Sequence, residues 1–306
     1  MTSAATPHVG PSPRAIAWRR RRTAAARLWR EFRRYPTGML GLAILVVFVL
    51  VAVFAPVLAD PEGLLVTKAT GVPLSPPSPG FPLGTDEYGR SVLTLLIWGS
   101  RVSLLVGLAS TAISMLLGTF VGVAAGHFHG WVGEVFNRLT DWFLVIPFLP
   151  LAIVLAAVLS PSLTNIIIVI GITSWPGTAR LVRAQTLAIE GRPYLERARV
   201  LGAGDWHQMS RHVLPNVMPL VLANTTLTVA IAILSETTLS FLGLGDPTHV
   251  SWGTMLDGAQ STGAITAGQW WYVLPPGIAV VVVVLAFMLI GRALEQVLTP
   301  RARAGR

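Results

Sequence analysis

The sequence predicts an all-α membrane protein with about six transmembrane helices, and three observations carry that prediction. The chain is 53% hydrophobic and only 12% charged, against about 25% charged residues in a soluble domain. Much of it therefore never meets water. Its apolar runs are each long enough to cross a hydrocarbon core of about 30 Å at a rise of about 1.5 Å per helical residue. Its positive charge lies in short stretches between those runs, as membrane topology places it. Length alone fits two soluble domains, but the apolar runs overrule it. The net charge is +9, and Lys68 is the only lysine. A basic balance can mean nucleic acid, but positive charge divided among short connectors argues against that partner. With no cysteine, disulfides, thiolate metal sites and a cysteine nucleophile are excluded.

Residues 1–38 form a basic tail with nine arginines and one acid, Glu31. Its Pro, Ser and Ala start predicts disorder, and residues 24–34 predict a basic amphipathic helix at the membrane surface. Residues 39–58 are the first span. Twenty residues exceed the 7–15 of a signal-peptide core, and Arg33-Arg34 run straight into Tyr35 and Pro36 without a twin-arginine context, so an uncleaved span is favoured. Residues 59–100 follow as an external loop and a short pre-span segment. Pro61, Pro73, Pro76, Pro77, Pro79 and Pro82 forbid a helix up to residue 90.

Residues 101–291 hold the other five spans. The second covers 102–125, with Gly118, Gly122 and Gly126 spaced by four on one stripe, which lets another backbone approach. The third covers 142–159, interrupted by Pro147 and Pro150. The fourth starts at Leu163, breaks at Pro176-Gly177 and continues to about Ala188. The fifth covers 217–239. The sixth covers 273–290, with Pro275 and Pro276 near its start. Residues 292–306 are the C-terminal tail.

The connectors give an orientation. The N-terminal tail, the stretch 180–211 with six arginines, and the C-terminal tail with Arg292, Arg301, Arg303 and Arg306 fall on one side of six spans. The stretch 243–272 has no Lys or Arg and carries Asp246 and Asp257. The positive-inside rule makes the arginine side cytoplasmic, and both termini with it.

The loop 189–215 is too structured for a simple connector. A helix over 193–201 opens on Pro193, which suits a first helical turn. Gly202 permits a turn that a Cβ resists. Asp205 is placed to cap a second helix over 206–212, and Pro215 opens the fifth span. This segment resembles the EAA loop of ABC-importer permeases: Glu-Ala-Ala, three residues, Gly, nine residues, Ile-x-Leu-Pro. Glu196, Ala198, Gly202, Leu214 and Pro215 match, while Arg197 and His212 depart from the pattern. Further segments resemble the dipeptide/oligopeptide/nickel permease family: Pro82-Leu-Gly-Thr-Asp-Glu-Tyr-Gly-Arg90, Gly99-Ser-Arg-Val-Ser-Leu-Leu-Val-Gly107, Trp175 with Ala179-Arg-Leu-Val-Arg183, Ser235-Glu-Thr-Thr-Leu-Ser-Phe-Leu-Gly-Leu-Gly245, Ser251-Trp-Gly253, Trp270-Trp271 and Pro276-Gly277. They span roughly residues 30–300. The long first span before Pro-Leu-Gly-Thr-Asp points to the C-type subunit. Gly291-Arg-Ala-Leu-Glu295 departs from the family's usual Gly-Asp-x-Leu-Arg-Asp.

The resemblance implies a type I ABC-importer permease fold in a bacterial cytoplasmic membrane. It implies that Glu196, Ala198, Gly202, Ala203, Asp205, Arg211, His212, Leu214 and Pro215 form a coupling loop docking on an ATPase. It implies a second homologous permease subunit, two ATP-binding subunits (or one fused ATPase) and an extracytoplasmic solute-binding protein, beside the lipid bilayer. The chain has no Walker-type loop and no nucleophile elbow, so it is expected to be non-catalytic and to bind no cofactor, with ATP and Mg²⁺ on the partner ATPases.

Other residues are weighed against structural roles. Glu236, with Ser240 and Asn224, is a candidate for the translocation path or gate, since a membrane carboxylate is by default functional. It can equally brace its helix against the Ser-Phe-Leu-Gly-Leu-Gly turn. Arg138 and Asp141 are spaced to pair on one helix face, which is favoured over a proton relay. His127 and His129 have no acid at ligand spacing, so no metal site is expected. Trp175, Trp252, Trp270 and Trp271 suit membrane interfaces. The function expected is ATP-driven import of di- or oligopeptides. Alternatives are import of nickel chelates or another small solute within this family, an ion-gradient-driven secondary transporter, and a scaffold protein. Broken half-helices in repeated halves would mark the secondary transporter, and none is clear.

Overall fold

The computed structural model describes residues 13–298. The expectations for the first twelve residues and for Arg301, Arg303 and Arg306 lie outside the described residues. Eleven α-helices make up the described fold. Five are long and apolar enough to cross a membrane, and one bent pair forms a sixth candidate.

Helix α1 (Pro13–Phe32) starts well before the expected residue 24. Helix α2 (Pro36–Leu58) begins three residues earlier than expected, because Pro36 sits in its first turn, where its missing N–H is no loss. Its buried positions are small: Gly38, Gly41, Ala52 and Ala55. A Cβ on Gly41 would lie 2.6 Å from the Ala286 carbonyl, so α2 packs backbone-close on the last helix. The proline-rich stretch that follows has two 3-10 turns, Pro61–Leu64 and Val66–Lys68, and no α-helix before Val92. It is held by Thr85, whose hydroxyl donates to the Val72 carbonyl at 2.5 Å and accepts from the Ser75 N–H at 2.8 Å.

Helix α3 (Val92–His127) is one continuous helix of 36 residues, capped by the Ser91 hydroxyl. The separate pre-span segment ending at residue 100 is therefore corrected. Nothing in residues 91–101 breaks a helix, and Gly99 instead admits the Trp252 side chain, 3.0 Å from where a Cβ would stand. At roughly 54 Å, α3 outruns a hydrocarbon core of about 30 Å.

Helices α4 (Trp131–Val145) and α5 (Phe148–Val158) replace the expected third span. The first starts eleven residues earlier, and the pair is bent by 86°. Pro147 explains the break: the residue before a proline is pushed to extended geometry, and Ile146 adopts φ −78°, ψ 122°.

Helix α6 (Leu163–Glu190) runs unbroken through Pro176, so the expected break there is also corrected. Packing holds it. Gly118, Gly122 and Gly126 of α3 each face one α6 carbonyl: an added Cβ would stand 2.8 Å from Trp175 O, 2.5 Å from Ala179 O and 3.1 Å from Arg183 O. Both series step by four residues, so the two parallel helices interlock in register.

Helix α7 (Pro193–Val200) is followed by the Gly202 turn and by α8 (Asp205–Gln208). A π turn at Met209–Val213 leads directly into α9 (Leu214–Leu239), with a second π turn at Ser240–Leu244. The fifth span thus runs on from Asp205 instead of opening at Pro215. The wide turn accommodates Pro215, whose ring would clash with the carbonyl four residues back in a regular helix. Ser251 caps α10 (Trp252–Ser261) through a capping box with Thr254. Helix α11 (Trp270–Leu298) extends eight residues beyond the expected end.

Among the described residues, the long helices place Arg30–Arg34, the stretch 180–211 and Arg292 towards one end of the bundle. There Phe32 packs with Ile290 and Ala293. At the opposite, acidic end, Trp252 and Tyr272 are buried with Val92, Leu95 and Ile233. Trp252 is thus a core residue rather than an interface anchor.

Candidate functional site

The loop 189–215 is built on a buried apolar root. Leu195 of α7 and Val213 of the π turn are fully buried against Val182, Ile189 and Val217. This root fixes α7 and α8 on the ends of α6 and α9. Gly202 sits at φ +84° with nothing within 4 Å of where a Cβ would stand, so backbone conformation, and not space, requires glycine. The turn closes through Gly202 N–H to Arg199 O at 2.9 Å and Ala203 N–H to Ala198 O at 3.0 Å.

Around that root the sequence-predicted residues divide. Glu196, Arg211 and Pro215 are exposed, and Ala198, Ala203, His212 and Leu214 are half-buried. The His212 ring lies 6.2 Å from Tyr194 and 5.7 Å from His207. Asp205 does not cap α8: Gly204 takes that position, without a side-chain hydrogen bond. Asp205 instead turns towards His127, Oδ1 to Nε2 at 3.4 Å. The turn projects three large apolar side chains into the open: Val200 is 83% exposed, Leu201 87% and Trp206 77%.

Sequence reasoning missed a polar cluster beneath this surface. His127, the last residue of α3, is buried, with Nδ1 2.5 Å from Glu190 Oε1. Glu190 Oε2 pairs with Arg199. Arg199 Nε donates to Gln208 Oε1 at 3.0 Å, and Gln208 Nε2 donates to Ala203 O at 2.6 Å. No local spacing signals it, because His127 and Glu190 are 63 positions apart. Among the described residues no group of three or more His, Asp or Glu side chains could hold a metal ion.

Two ionic readings change in the bundle. Arg138 pairs with Glu134 at 2.7 Å, not with Asp141, and Asp141 pairs with Arg180 at 3.3 Å. The i,i+4 partner and a neighbouring helix win over the i,i+3 neighbour.

The path candidates also divide. A cavity of about 400 Å³ opens at the α4–α5 bend, lined among others by Pro147, Ser174, Thr178, Asn224 and Thr228. Its lining includes no ionisable side chain. Asn224 Nδ2 donates to Thr178 Oγ1 at 3.1 Å. Glu236 and Ser240 are fully buried and do not line it. The Ser103 and Ser240 hydroxyls donate to the Glu236 carboxylate at 3.1 and 2.9 Å, and Ser103 Oγ accepts the Trp252 N–H at 3.2 Å. Glu236 thereby braces α3, α9 and α10 together.

At the acidic end, Asp246 ties the chain after α9 to the start of α6. It accepts from the Leu163 N–H at 2.9 Å, from the Thr248 hydroxyl and N–H at 2.6 and 2.8 Å, and lies 3.0 Å from His249 Nδ1. Burial pushes its carboxyl up, but the hydrogen bonds from Thr248, Leu163 and His249 outweigh it and hold the pKa at about 2. Nearby, the Tyr272 hydroxyl donates to Glu87 at 2.5 Å.

Comparison with known proteins places this architecture among transport proteins. Residues 118–304 match the family described as binding-protein-dependent transport system inner membrane component. Residues 23–77 match the N-terminal TM domain of oligopeptide transport permease C. A putative peptide transport system permease protein of Brucella abortus is 35% identical over 305 residues, covering 99% of this chain and 97% of the relative. The di/tripeptide transport system permease protein of Pseudomonas aeruginosa is 38% identical, covering 90% and 91%. The glutathione transport system permease protein of Pectobacterium atrosepticum is 31% identical, covering 92% and 93%.

Proposed function

The chain belongs to the family of binding-protein-dependent transport system inner membrane components, in its oligopeptide permease C branch, and from that premise we propose that it forms one wall of an ATP-driven import path for di- or oligopeptides. It is a multi-pass inner membrane protein and a non-catalytic permease component of an ABC transport system. Such a component works with ATPase and binding-protein partners. In the proposed assembly a second, homologous permease completes the path. Two ATPase subunits hold ATP and Mg²⁺, and a solute-binding protein docks at the acidic end near residues 243–272. Both termini and the loop 189–215 face the cytoplasm.

One observation carries the coupling role: Val200, Leu201 and Trp206 stand exposed on a turn whose root is rigidly buried. Large apolar side chains exposed together on a short surface turn mark a partner site, and tryptophan is enriched at the energetic centre of such contacts. A lever needs that combination, a surface to be gripped and a root that transmits the displacement. Glu196 and Arg211 lie exposed on the same segment. Closure of the ATPases moves α7 and α8, and with them the ends of α6 and α9.

The cavity at the α4–α5 bend supports a path for peptides. Hydroxyl and amide groups on an otherwise apolar wall hydrogen-bond a peptide backbone without selecting a side-chain charge. Asn224 is the path residue that geometry favours, while Glu236 and Ser240 act as a brace beside it. A carboxylate held by two serine hydroxyls and buried in packing is poorly placed for a proton relay, which weighs against the ion-gradient reading.

Reconstitution tests the proposal. The chain is purified with its partner permease, ATPase and binding protein and placed in vesicles with labelled di- and tripeptides. Uptake is expected only with ATP and binding protein together. Uptake that persists with an ATPase-dead partner under a proton gradient would overturn it.

A further inference from the structure

His127 is the terminal residue of a helix that runs the length of the bundle. Its side chain is 2% exposed, and both ring nitrogens meet carboxylates: Glu190 at 2.5 Å, from α6, and Asp205 at 3.4 Å, from α8. Glu190 is also buried, and its second oxygen pairs with Arg199 of α7. Arg199 in turn holds Gln208, which holds the carbonyl of Ala203 in the Gly202 turn. Four elements thus meet in one connected polar network, and His127 is the only member from α3.

The acidic-end half of α3 is also tied by polar groups. Ser103 joins Glu236 of α9 and the Trp252 N–H of α10, where the acidic-end core begins. Ser103 and His127 are 24 residues apart, roughly 36 Å along the helix. Between them the Gly118–Gly122–Gly126 interlock keeps α3 and α6 from sliding. The stretch Ser103–His127 is therefore a stiff rod with a polar joint at either end of it.

We propose that His127 is a positioning residue that joins the α3 rod to the loop 189–215, so that movement of that loop and events at the acidic end are obliged to occur together. This rests on the reading of that loop as the ATPase-coupling lever. The joint has the chemistry the task requires. Polar bonds to two carboxylates on separate elements can be remade in a second arrangement of the loop, whereas the apolar root around Leu195 and Val213 holds one arrangement. Without His127, Glu190 and Arg199 still tie α6 to α7, but among the described residues α3 then meets the loop 189–215 through no hydrogen bond or ion pair, only through the apolar root that its Met115 and Val123 share with Leu195 and Val213.

The test uses the complete assembly in vesicles, with wild type, His127→Leu and His127→Asn. The asparagine amide nitrogen takes the place of Nδ1 and can donate to Glu190. The readouts are peptide taken up per ATP hydrolysed and stimulation of ATPase by loaded binding protein. His127→Leu is expected to assemble and hydrolyse ATP at the basal rate, to lose binding-protein stimulation, and to transport at least about tenfold less peptide per ATP. His127→Asn is expected to return within about threefold of wild type. Equal coupling in His127→Leu and wild type would overturn the proposal. So would uptake and ATPase falling in parallel with complex yield in both variants, the signature of a merely structural role. If His127→Leu does not assemble, Arg199→Met combined with Asp205→Ala decides: together they leave the His127–Glu190 contact and remove both polar links from it to the loop, and unchanged peptide per ATP would overturn the joint. A wild-type assembly that hydrolyses ATP without any coupled uptake would overturn the lever reading and the joint with it.

Discussion

Replacing Gly122 by alanine tests the α3–α6 interlock on which the rigid rod depends. An added Cβ would stand 2.5 Å from Ala179 O and 2.7 Å from Val182 Cβ. Neither atom is the end of a flexible side chain, so the helices must part by roughly 0.9 Å to restore ordinary contact. Because the interlock repeats every four residues, that separation also loosens the Gly118 and Gly126 contacts. Overpacking of this kind costs about 1–3 kcal/mol. Alanine's better helix propensity returns about 0.5–1 kcal/mol, so the net loss is at most about 2.5 kcal/mol and centres on about 1–2 kcal/mol. The assay is the half-life of the detergent-purified chain at a fixed elevated temperature, since such unfolding is measured as a rate. A loss of 1–2 kcal/mol corresponds to a factor of about 5–30 if it falls wholly on the unfolding barrier. Gly177→Ala is the control, on α6 with nothing within 4 Å of its Cβ, and it is expected to lengthen the half-life slightly. A Gly122→Ala protein as durable as wild type, or a Gly177→Ala protein equally short-lived, would refute the interlock.

Three further outcomes are expected. Gly202→Asp meets no steric obstacle but forces a Cβ into φ +84°, at a cost of about 1–2 kcal/mol. Uptake by the assembly is expected to fall more than about tenfold while the chain still inserts, and full uptake would show that the turn is not the lever. Asp246 has its folded pKa held at about 2 against an ordinary 3.8, so its contribution is present above about pH 4 and lost as pH falls through about 2. Asp246→Asn is therefore expected to lower stability at pH 7 by on the order of 2 kcal/mol, with the difference from wild type vanishing as pH falls below about 2. A pH-independent difference would contradict that origin. Glu236→Leu leaves the Ser103 and Ser240 hydroxyls without their acceptor, at about 1–3 kcal/mol each, whereas Glu236→Gln keeps most of the brace. Thermal inactivation that is equal for the two variants would remove the bracing role.

The spans were legible because a bilayer requires long apolar runs, and residues 39–58 or 273–290 have no other explanation. Their ends were less legible. Helix α11 continues to Leu298 because Ala293, Leu294 and Val297 carry an apolar face that packs with Phe32, and a search for continuous apolar runs passes over such an amphipathic extension. Proline signalled the α4–α5 break correctly and misled at Pro176, because packing of α6 on the α3 glycines outweighs one lost hydrogen bond. In the loop, Gly202 was legible from backbone chemistry alone. Asp205 was not, since a short acid beside Gly204 fits both a cap and a reach to His127, and only the fold brings His127 there. The His127–Glu190–Arg199 cluster was invisible for the same reason. Arg138 and Asp141 show the limit of local spacing, which offers a partner without knowing that Arg180 stands closer to the acid.

The chain has no cysteine, so a single introduced thiol reports one place. Leu201→Cys puts that thiol at the most exposed point of the apolar turn, and Val72→Cys puts one at the opposite end, also exposed. Each variant is assembled with an ATPase subunit carrying one surface cysteine on its membrane-facing side and treated with a short bifunctional maleimide. The coupling account predicts a permease–ATPase cross-link from Leu201→Cys, changed in yield by ATP, and none from Val72→Cys. No cross-link from Leu201→Cys in an assembly that still imports peptide would contradict it.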